Sequence, residues 1–157
     1  MKIELLLMGK TDSAWIKEGA ELYATRLKYY TTLSIKEIPE LKKTAGLSTN
    51  QVKEREGELI LKNIKESDYL ILLDENGKHF SSEEFAQKIE KVTIRGIKCI
   101  VFVVGGAYGF SGEVYSRANE TISLSKMTFS HQMVRVIFLE QLYRAYTIIK
   151  GEPYHHK

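Results

Sequence analysis

Residues 128–146 read TFSHQMVRVIFLEQLYRAY, a polar loop that continues as a helix apolar almost all the way round. A helix with this pattern must be buried on more than one side. In a chain of 157 residues, we expect a second subunit to supply one of the covers. Buried charges are costly unless they are paired, so the charged side chains of this helix are either satisfied by each other or serve a site. The polar side chains that the stretch keeps are His131, Gln132, Arg135, Glu140, Gln141 and Arg144.

The composition fits one soluble globular domain covering residues 1–157, with 43% hydrophobic and 27% charged residues. One cysteine, Cys99, excludes an internal disulfide and any multi-cysteine metal site, and fits a reducing cytoplasm. The longest apolar run, residues 99–104, is too short to span a membrane. Residues 1–8 are apolar but interrupted by Glu4, so we predict neither a secretory signal nor a membrane partner.

The net charge of +3 and the pI of about 8.8 permit RNA or phosphate binding without arguing strongly for it. We expect no DNA partner. Because His, Cys and Asp do not cluster at ligand spacing, we also predict no metal site. The chain has no Gly-x-Ser-x-Gly motif that would favour a hydrolase triad.

Predicted strands alternate with predicted helices throughout the chain. Continuous apolar strands linked by helices indicate an α/β fold with a parallel sheet covered on both faces. Two capping boxes, Ser48 with Gln51 and Ser81 with Glu84, mark helix starts. Residues 76–77, Asn-Gly, are predicted as a turn. The predicted strands cover residues 2–9, 32–38, 69–73, 97–104 and 121–124, and the helices 12–29, 48–65, 81–92, 111–119 and 130–150.

Ligands collect at the carboxyl ends of strands in such sheets, which directs attention to the loops at residues 73–77, 105–111 and 125–130. The glycine-rich loop reads GGAYG at residues 105–109 and is neither a Walker loop nor a Gly-x-Gly-x-x-Gly motif. It is either a tight strand-to-helix turn or part of a nucleotide pocket. The tail at residues 152–157, EPYHHK, is either a frayed terminus or a set of aromatic and basic groups for holding an unstacked base.

Several motifs in the right order resemble the ribosomal RNA large subunit methyltransferase H family, over essentially the whole chain. Members of this family are small SPOUT-class enzymes that methylate N3 of a pseudouridine in 23S rRNA. The motifs are residues 8–10 (MGK), 21–23 (ELY), 26–27 (RL), 54–57 (EREG), 73–78 (LDENGK), 81–83 (SSE), 102–106 (FVVGG), 124–129 (LSKMTF), 131–132 (HQ), 140–145 (EQLYRA) and 151–155 (GEPYH).

The resemblance implies a SPOUT fold with a trefoil knot near the C-terminus, a homodimer, and the ribosome or 23S rRNA as partner. It also implies S-adenosyl-L-methionine as methyl donor, held by three loops. Carried over by position, the catalytic candidates are Arg144, Tyr154 and His155. The cofactor-binding candidates are Leu73, Gly105, Leu124, Ser125, Lys126, Met127, Thr128 and Phe129.

Three questions stay open at this level. Ser130 stands where the family commonly has proline, so the loop is expected to be less rigid. Arg144 either stabilises charge on the target or pairs with Glu140 at helical spacing. Tyr154 and His155 are expected over a methyl-donor pocket, either that of their own chain or that of the partner. The alternative functions are a SPOUT enzyme acting on another RNA, such as tRNA, and a non-catalytic nucleotide-binding protein.

Overall fold

The computed structural model describes residues 1–156, whose centre is a sheet of five parallel strands. The strands are β1 (Lys2–Met8), β2 (Thr32–Ile38), β3 (Tyr69–His79), β4 (Cys99–Val104) and β5 (Glu120–Ser123). Their order across the sheet is β2-β1-β4-β3-β5, and every neighbouring pair is parallel. The α/β parallel-sheet prediction is therefore confirmed.

Helices connect the strands and cover both faces of the sheet. They are α1 (Ala14–Leu27), α2 (Thr49–Lys62), α3 (Ser82–Ile94), α4 (Gly112–Arg117) and α5 (Met133–Ile149), followed by a short 3-10 turn at Pro153–His155. Both capping boxes are confirmed: the Ser48 hydroxyl accepts from the Gln51 amide at 3.1 Å, and Ser81 and Glu84 do the same at α3.

Alternate residues of the strands point into two separate cores, because successive side chains of a strand face opposite sides of the sheet. Leu5 and Phe102 belong to the core beneath α1, α3 and α5, where the rings of Phe102 and Phe138 lie 4.6 Å apart. Leu6 and Val103 belong to the other core, beneath α2 and α4.

Helix α5 lies between α1 and α3 on the sheet, and each of its side chains is buried or half-buried within one chain. Gly19 of α1 allows this close approach, because a Cβ there would lie 3.2 Å from Cγ1 of Val136. On α1, Ile16 is buried, whereas the large apolar side chains of Trp15 and Leu22 are 61% and 48% exposed. Part of the apolar surface of α5 is thus covered within the chain, and one apolar side of α1 stays exposed.

The predicted Asn-Gly turn at residues 76–77 is wrong, because these residues lie inside β3. The pairing with β5 is irregular there: Leu73 and Lys78 both lie opposite Ile122. A Cβ on Gly77 would come within 2.7 Å of the Ile122 backbone, so only glycine fits. Long-range strand pairing overrides the local turn preference. The trefoil knot stays a prediction.

Candidate active site

A cavity of about 310 Å³ lies where the neighbouring strands β3, β4 and β5 lead into the segments that follow them. Leu73 of β3 pairs with Val104 of β4 on one side and with Ile122 of β5 on the other, so the segments that follow lie side by side. The walls come from residues 73–75, 104–107, 109–110, 123–125 and 127–131, with Val134 from the first turn of α5. Of the predicted cofactor-binding residues, those that line the cavity are Leu73, Gly105, Leu124, Ser125, Met127, Thr128 and Phe129. Lys126 is exposed and lies outside the lining.

Two glycines form part of the wall, at positions where neighbouring side chains leave no room for a Cβ. A Cβ on Gly105 would lie 2.9 Å from Cε1 of the buried Phe110 ring. A Cβ on Gly106 would lie 2.7 Å from Oε2 of Glu56. The loop then closes as a tight turn, in which the Gly109 amide donates to the Gly106 carbonyl at 3.2 Å and Gly109 has φ +85°. The chain's own packing therefore requires these glycines.

The Glu56 carboxyl group behind this wall is not fully satisfied. Among residues 1–156, its Oε1 is the buried side-chain oxygen that lacks a hydrogen-bond partner. Burial raises the pKa of Glu56, and the nearby charge of Glu40 raises it further. The group consequently keeps a proton to a higher pH than an ordinary glutamate.

The loop from β5 to α5 is held by its own side chains. The Met127 amide donates to the Ser125 hydroxyl at 2.9 Å, and the Thr128 hydroxyl donates to Oε2 of Glu75 at 2.6 Å. The Ser130 hydroxyl accepts from the Met133 amide at 3.1 Å, which caps the first turn of α5. The expected loss of rigidity at Ser130 is thus offset by a hydrogen bond that proline could not make.

Asp74, an acidic residue of the cavity wall, is held in place by a tyrosine that the sequence did not indicate. Tyr115 of α4 donates its hydroxyl to Oδ2 of Asp74, and Oδ1 of Asp74 accepts from the Asn76 amide at 3.1 Å. Burial, followed by this hydrogen bond to Asp74, raises the pKa of Tyr115. Tyr115 follows Asp74 by 41 positions, so no local pattern could have linked them.

Arg135, with its side chain 1% exposed, connects the start of α5 to the end of β1. Its Nε donates to the His131 carbonyl at 3.2 Å, its Nη2 to the Met8 carbonyl at 3.1 Å, and its Nη1 to the Thr11 hydroxyl at 2.8 Å. The nearest carboxylate oxygen in an ion pair with it, on Glu37, is 3.9 Å away. Burial lowers the pKa of Arg135, and Glu37 opposes this shift. The buried charge is therefore satisfied mainly by neutral oxygens.

The three predicted catalytic residues lie together at the other end of α5. Arg144 donates from Nε and Nη2 to Oε1 of Glu140, at 3.1 and 2.6 Å, so the predicted helical pair is present. Nη1 of Arg144 lies 3.1 Å from Nδ1 of His155, whose Nε2 lies 3.1 Å from Oε1 of Glu83. The Tyr154 hydroxyl donates to the same Glu140 oxygen at 3.0 Å, and its ring centroid lies 4.8 Å from the Arg144 guanidinium. We call Arg144, Glu140, Tyr154 and His155 the tail cluster.

The described part of the tail, residues 152–156, is docked against the fold, so the frayed alternative is wrong for it. Gly151 caps α5 with φ +69°, and the Glu152 amide donates to the Thr147 carbonyl at 2.9 Å. The Tyr30 hydroxyl donates to Glu152 at 2.7 Å, which raises the pKa of Tyr30 to about 12. Lys157 lies outside the described residues.

The tail cluster and the cavity of one chain are separate. Val134 lines the cavity, and Arg144 follows it ten residues later on the same helix. A rise of 1.5 Å per residue puts about 15 Å between them along the axis. Tyr154 and His155 do not line the cavity of their own chain. Their placement over a partner's cavity stays a prediction.

Acidic, histidine and cysteine side chains are scattered over the fold. Across residues 1–156, no three of them are grouped so that they could hold a metal ion. No helix in the same part of the chain is both long enough and apolar enough to cross a membrane.

Comparison with known proteins finds the model of a family described as "Predicted SPOUT methyltransferase", which matches residues 1–155. A protein of Christiangramia forsetii named ribosomal RNA large subunit methyltransferase H is 55% identical over 157 residues, covering 100% of both chains. A protein of Parabacteroides distasonis with the same name is 54% identical over the same full lengths.

Among solved structures, a probable methylase family protein from Haemophilus influenzae Rd KW20 matches with a TM-score of 0.55. It is 15% identical, and the match covers 95% of this chain and 66% of that chain, so it bears on the fold alone. The resemblance seen in the sequence is confirmed by the family match and by the full-length relatives. The chain belongs to the SPOUT methyltransferases and, among them, to the ribosomal RNA large subunit methyltransferase H family.

Proposed function

We propose that this methyltransferase transfers the methyl group of S-adenosylmethionine to N3 of a pseudouridine in 23S rRNA. Its relatives at 54% and 55% identity are named for the RNA of the large ribosomal subunit. The observation that carries the proposal is the convergence of three strand-end loops on one cavity, in the fold of this family. A ribosomal substrate would make the cytoplasm the place of action, with the whole chain working as one domain.

The cavity suits a nucleoside with an apolar tail. Its volume of about 310 Å³ lies at the lower end of the range of small-molecule sites. Leu73 and Val104 offer apolar surface, and the wall at Gly105 and Gly106 offers backbone without side chains. These loops, with residues 124–129, would hold the cofactor. When bound, S-adenosylmethionine supplies a methyl group that its sulfonium already activates.

The target nitrogen sets the chemistry that the protein must provide. N3 of pseudouridine is an imide nitrogen, which loses its proton and spreads negative charge onto the flanking carbonyl oxygens. The Arg144 guanidinium is suited to stabilise that charge. The His155 imidazole beside it can accept that proton, and the Tyr154 ring can hold the nucleobase in place. Glu140 fixes Arg144 and Tyr154 through one oxygen, which orients the cluster before the substrate arrives.

We propose a homodimer, because a tail cluster about 15 Å along α5 from the cavity cannot act there within one chain. The surface that supports it lies on α1, where Trp15 and Leu22 are 61% and 48% exposed beside α5. A two-fold axis that crosses this surface perpendicular to α5 would set the two α5 helices antiparallel. The C-terminal half of one then faces the N-terminal half of the other. Each active site would join the cavity of one subunit to the tail cluster of its partner.

The decisive experiment maps methylation in rRNA from a strain that lacks the gene. Mass analysis of its 23S rRNA should show one pseudouridine without its methyl group, and purified protein with S-adenosylmethionine should restore the group on isolated ribosomes. The Arg144→Ala protein is the matched control and should not restore it. Methylation of tRNA instead would favour the other-RNA alternative. Cofactor binding without transfer to any RNA would favour a non-catalytic protein.

A further inference from the structure

We propose that the Tyr108 ring is a stacking platform for a nucleobase of the RNA substrate, at the mouth of the cofactor cavity. This inference rests on the proposed function and adds a substrate-binding residue to it. The ring belongs to the glycine-rich loop but takes no part in the cavity wall or in the tail cluster.

The turn geometry places Tyr108 at the rim. Gly106 and Gly109 form a bridge, with the Gly109 amide donating to the Gly106 carbonyl at 3.2 Å, so residues 107 and 108 form the tip of a tight turn. Ala107 lines the cavity, whereas Tyr108 lies outside its lining and is 58% exposed. A large aromatic ring is thus held in solvent beside the methyl-donor site, on a turn anchored at both ends.

Another part of the cavity wall also exposes apolar side chains. Met127 and Phe129, from the loop between β5 and α5, line the cavity and are 75% and 36% exposed. Grouped exposed apolar side chains mark interaction sites. Exposed lysines lie on this side too: Lys126 in the same loop, and Lys10, whose carbonyl accepts from Gln132 at 2.8 Å near the start of α5.

Single-stranded RNA fits this combination better than a protein surface does. Proteins bind unpaired bases on aromatic rings and the phosphates next to them with cationic side chains. A methyl acceptor inside folded rRNA must be unstacked before its N3 can reach the methyl group. A ring at the rim can hold the target base or its neighbour in that unstacked state.

The dimer surface does not account for the exposed ring. The loop continues into Phe110 and Val114, which belong to the core beneath α2 and α4. Trp15 and Leu22 lie with α1 on the opposite face of the sheet, beside α5. Tyr108 therefore does not belong to the α1 surface. In the proposed dimer it would lie at the cavity mouth, where the partner's tail cluster meets the target base of the RNA.

The test measures binding of ribosomes from a strain lacking the gene, with full-length Tyr108→Ala, Tyr108→Phe and Tyr29→Ala proteins. Tyr29 is the matched control, because its side chain is 87% exposed between α1 and β2, at the amino end of the sheet. We expect Tyr108→Ala to raise the Kd for ribosomes about tenfold, the usual loss for one stacked base. Tyr108→Phe, which keeps the ring, should change it less than about twofold. The Kd for S-adenosylmethionine should not move.

Each other result overturns the inference. An unchanged ribosome Kd for Tyr108→Ala means that the ring does not touch RNA. A weakened cofactor Kd assigns the ring to a lid over the cavity, and a shift to monomers assigns it to the dimer. An equal loss in Tyr108→Phe assigns the effect to the hydroxyl group. A wild-type protein that binds ribosomes without methylating them overturns the proposed function, while the comparison of Kd values still decides the role of Tyr108.

Discussion

The two ends of α5 are built in opposite ways. At its start, the cavity is made of loops, glycine backbone and exposed apolar side chains such as Met127. At its end, the tail cluster is made of charged and aromatic side chains that satisfy one another, with Glu140 accepting from both Arg144 and Tyr154. The N-terminal end of α5 therefore presents loop backbone and apolar surface, and the C-terminal end presents charged groups held in a fixed orientation.

This difference assigns cofactor binding to one end of α5 and the chemistry of methyl transfer to the other. A backbone-lined cavity can hold a cofactor but offers few groups that move a proton, whereas an oriented cluster of side chains can stabilise developing charge. Because about 15 Å of helix divides them, neither end is sufficient alone, and a symmetric dimer is the simplest way to unite them.

Removing the charge at the C-terminal end should have the largest effect. Arg144→Ala should lower kcat by about a hundredfold to a thousandfold, the usual loss when a group that stabilises developing charge is removed. The cofactor Kd, measured by calorimetry, should stay within about twofold, since the cavity lies at the other end of α5. Lys150→Ala, an exposed cation at the C-cap of α5, is the control and should be silent. A variant that loses cofactor affinity and stability together would assign a purely structural role to Arg144.

Mixing two inactive variants tests whether the two ends meet across the dimer. Gly105→Val damages the cavity wall and Arg144→Ala damages the tail cluster. If each site joins one subunit's cavity to its partner's cluster, a mixed dimer has one intact site, and equal co-expression should recover roughly a quarter of wild-type activity. Each variant alone should stay near zero. No recovery, in mixed dimers verified by two affinity tags, would place both ends of a site in one subunit.

The sequence predicted the fold well because its signals were local and agreed with each other. Apolar runs and two capping boxes predicted the alternation of strands and helices and most element boundaries. The Asn-Gly pair at residues 76–77 misled, because pairing of β3 with β5 depends on residues some 45 positions further on. The sequence did not indicate the uncovered apolar side of α1, where Trp15 is 61% exposed, since helical periodicity alone does not tell a core-facing side from one that is left uncovered.

The candidate site was predicted in part. The strand-end rule indicated the loops that surround the cavity, and the family resemblance supplied Arg144, Tyr154 and His155. The sequence could not predict the hydrogen bond between Tyr115 and Asp74 or the three hydrogen bonds of Arg135. These contacts join residues from distant elements of the chain. The sequence also could not predict how far the cavity lies from the tail cluster, because that distance depends on how α5 runs relative to the sheet.

Crowding the cavity wall should have an intermediate effect, confined to the N-terminal end of α5. Gly105→Ala places a methyl group 2.9 Å from the buried Phe110 ring, so the wall must shift. We expect the cofactor Kd to rise about tenfold, the equivalent of a modest overpacking cost. Adding Phe110→Leu should restore part of the affinity by making room. Gly112→Ala, where a Cβ meets nothing within 4 Å, is the control. An affinity that Phe110→Leu does not improve would show that the ring is not the obstacle.

The smallest effect should come from the cap that links the cavity loop to α5. Ser130→Ala removes the hydroxyl that accepts from the Met133 amide at 3.1 Å, and should lower the free energy of unfolding by about 1 kcal/mol. Ser81→Ala removes the equivalent hydrogen bond at α3, away from the cavity, and should cost a similar amount.

The two caps should differ in cofactor binding. Residues 127–131 line the cavity, so a looser first turn of α5 lets that wall move, and Ser130→Ala should weaken the cofactor Kd by a factor of about two to three. Ser81→Ala should leave that Kd unchanged at equal loss of stability. Denaturant titration and calorimetry on the same samples separate the two quantities. If both variants weaken cofactor binding equally, the affinity follows global stability, and Ser130 has no particular role in holding the cavity wall.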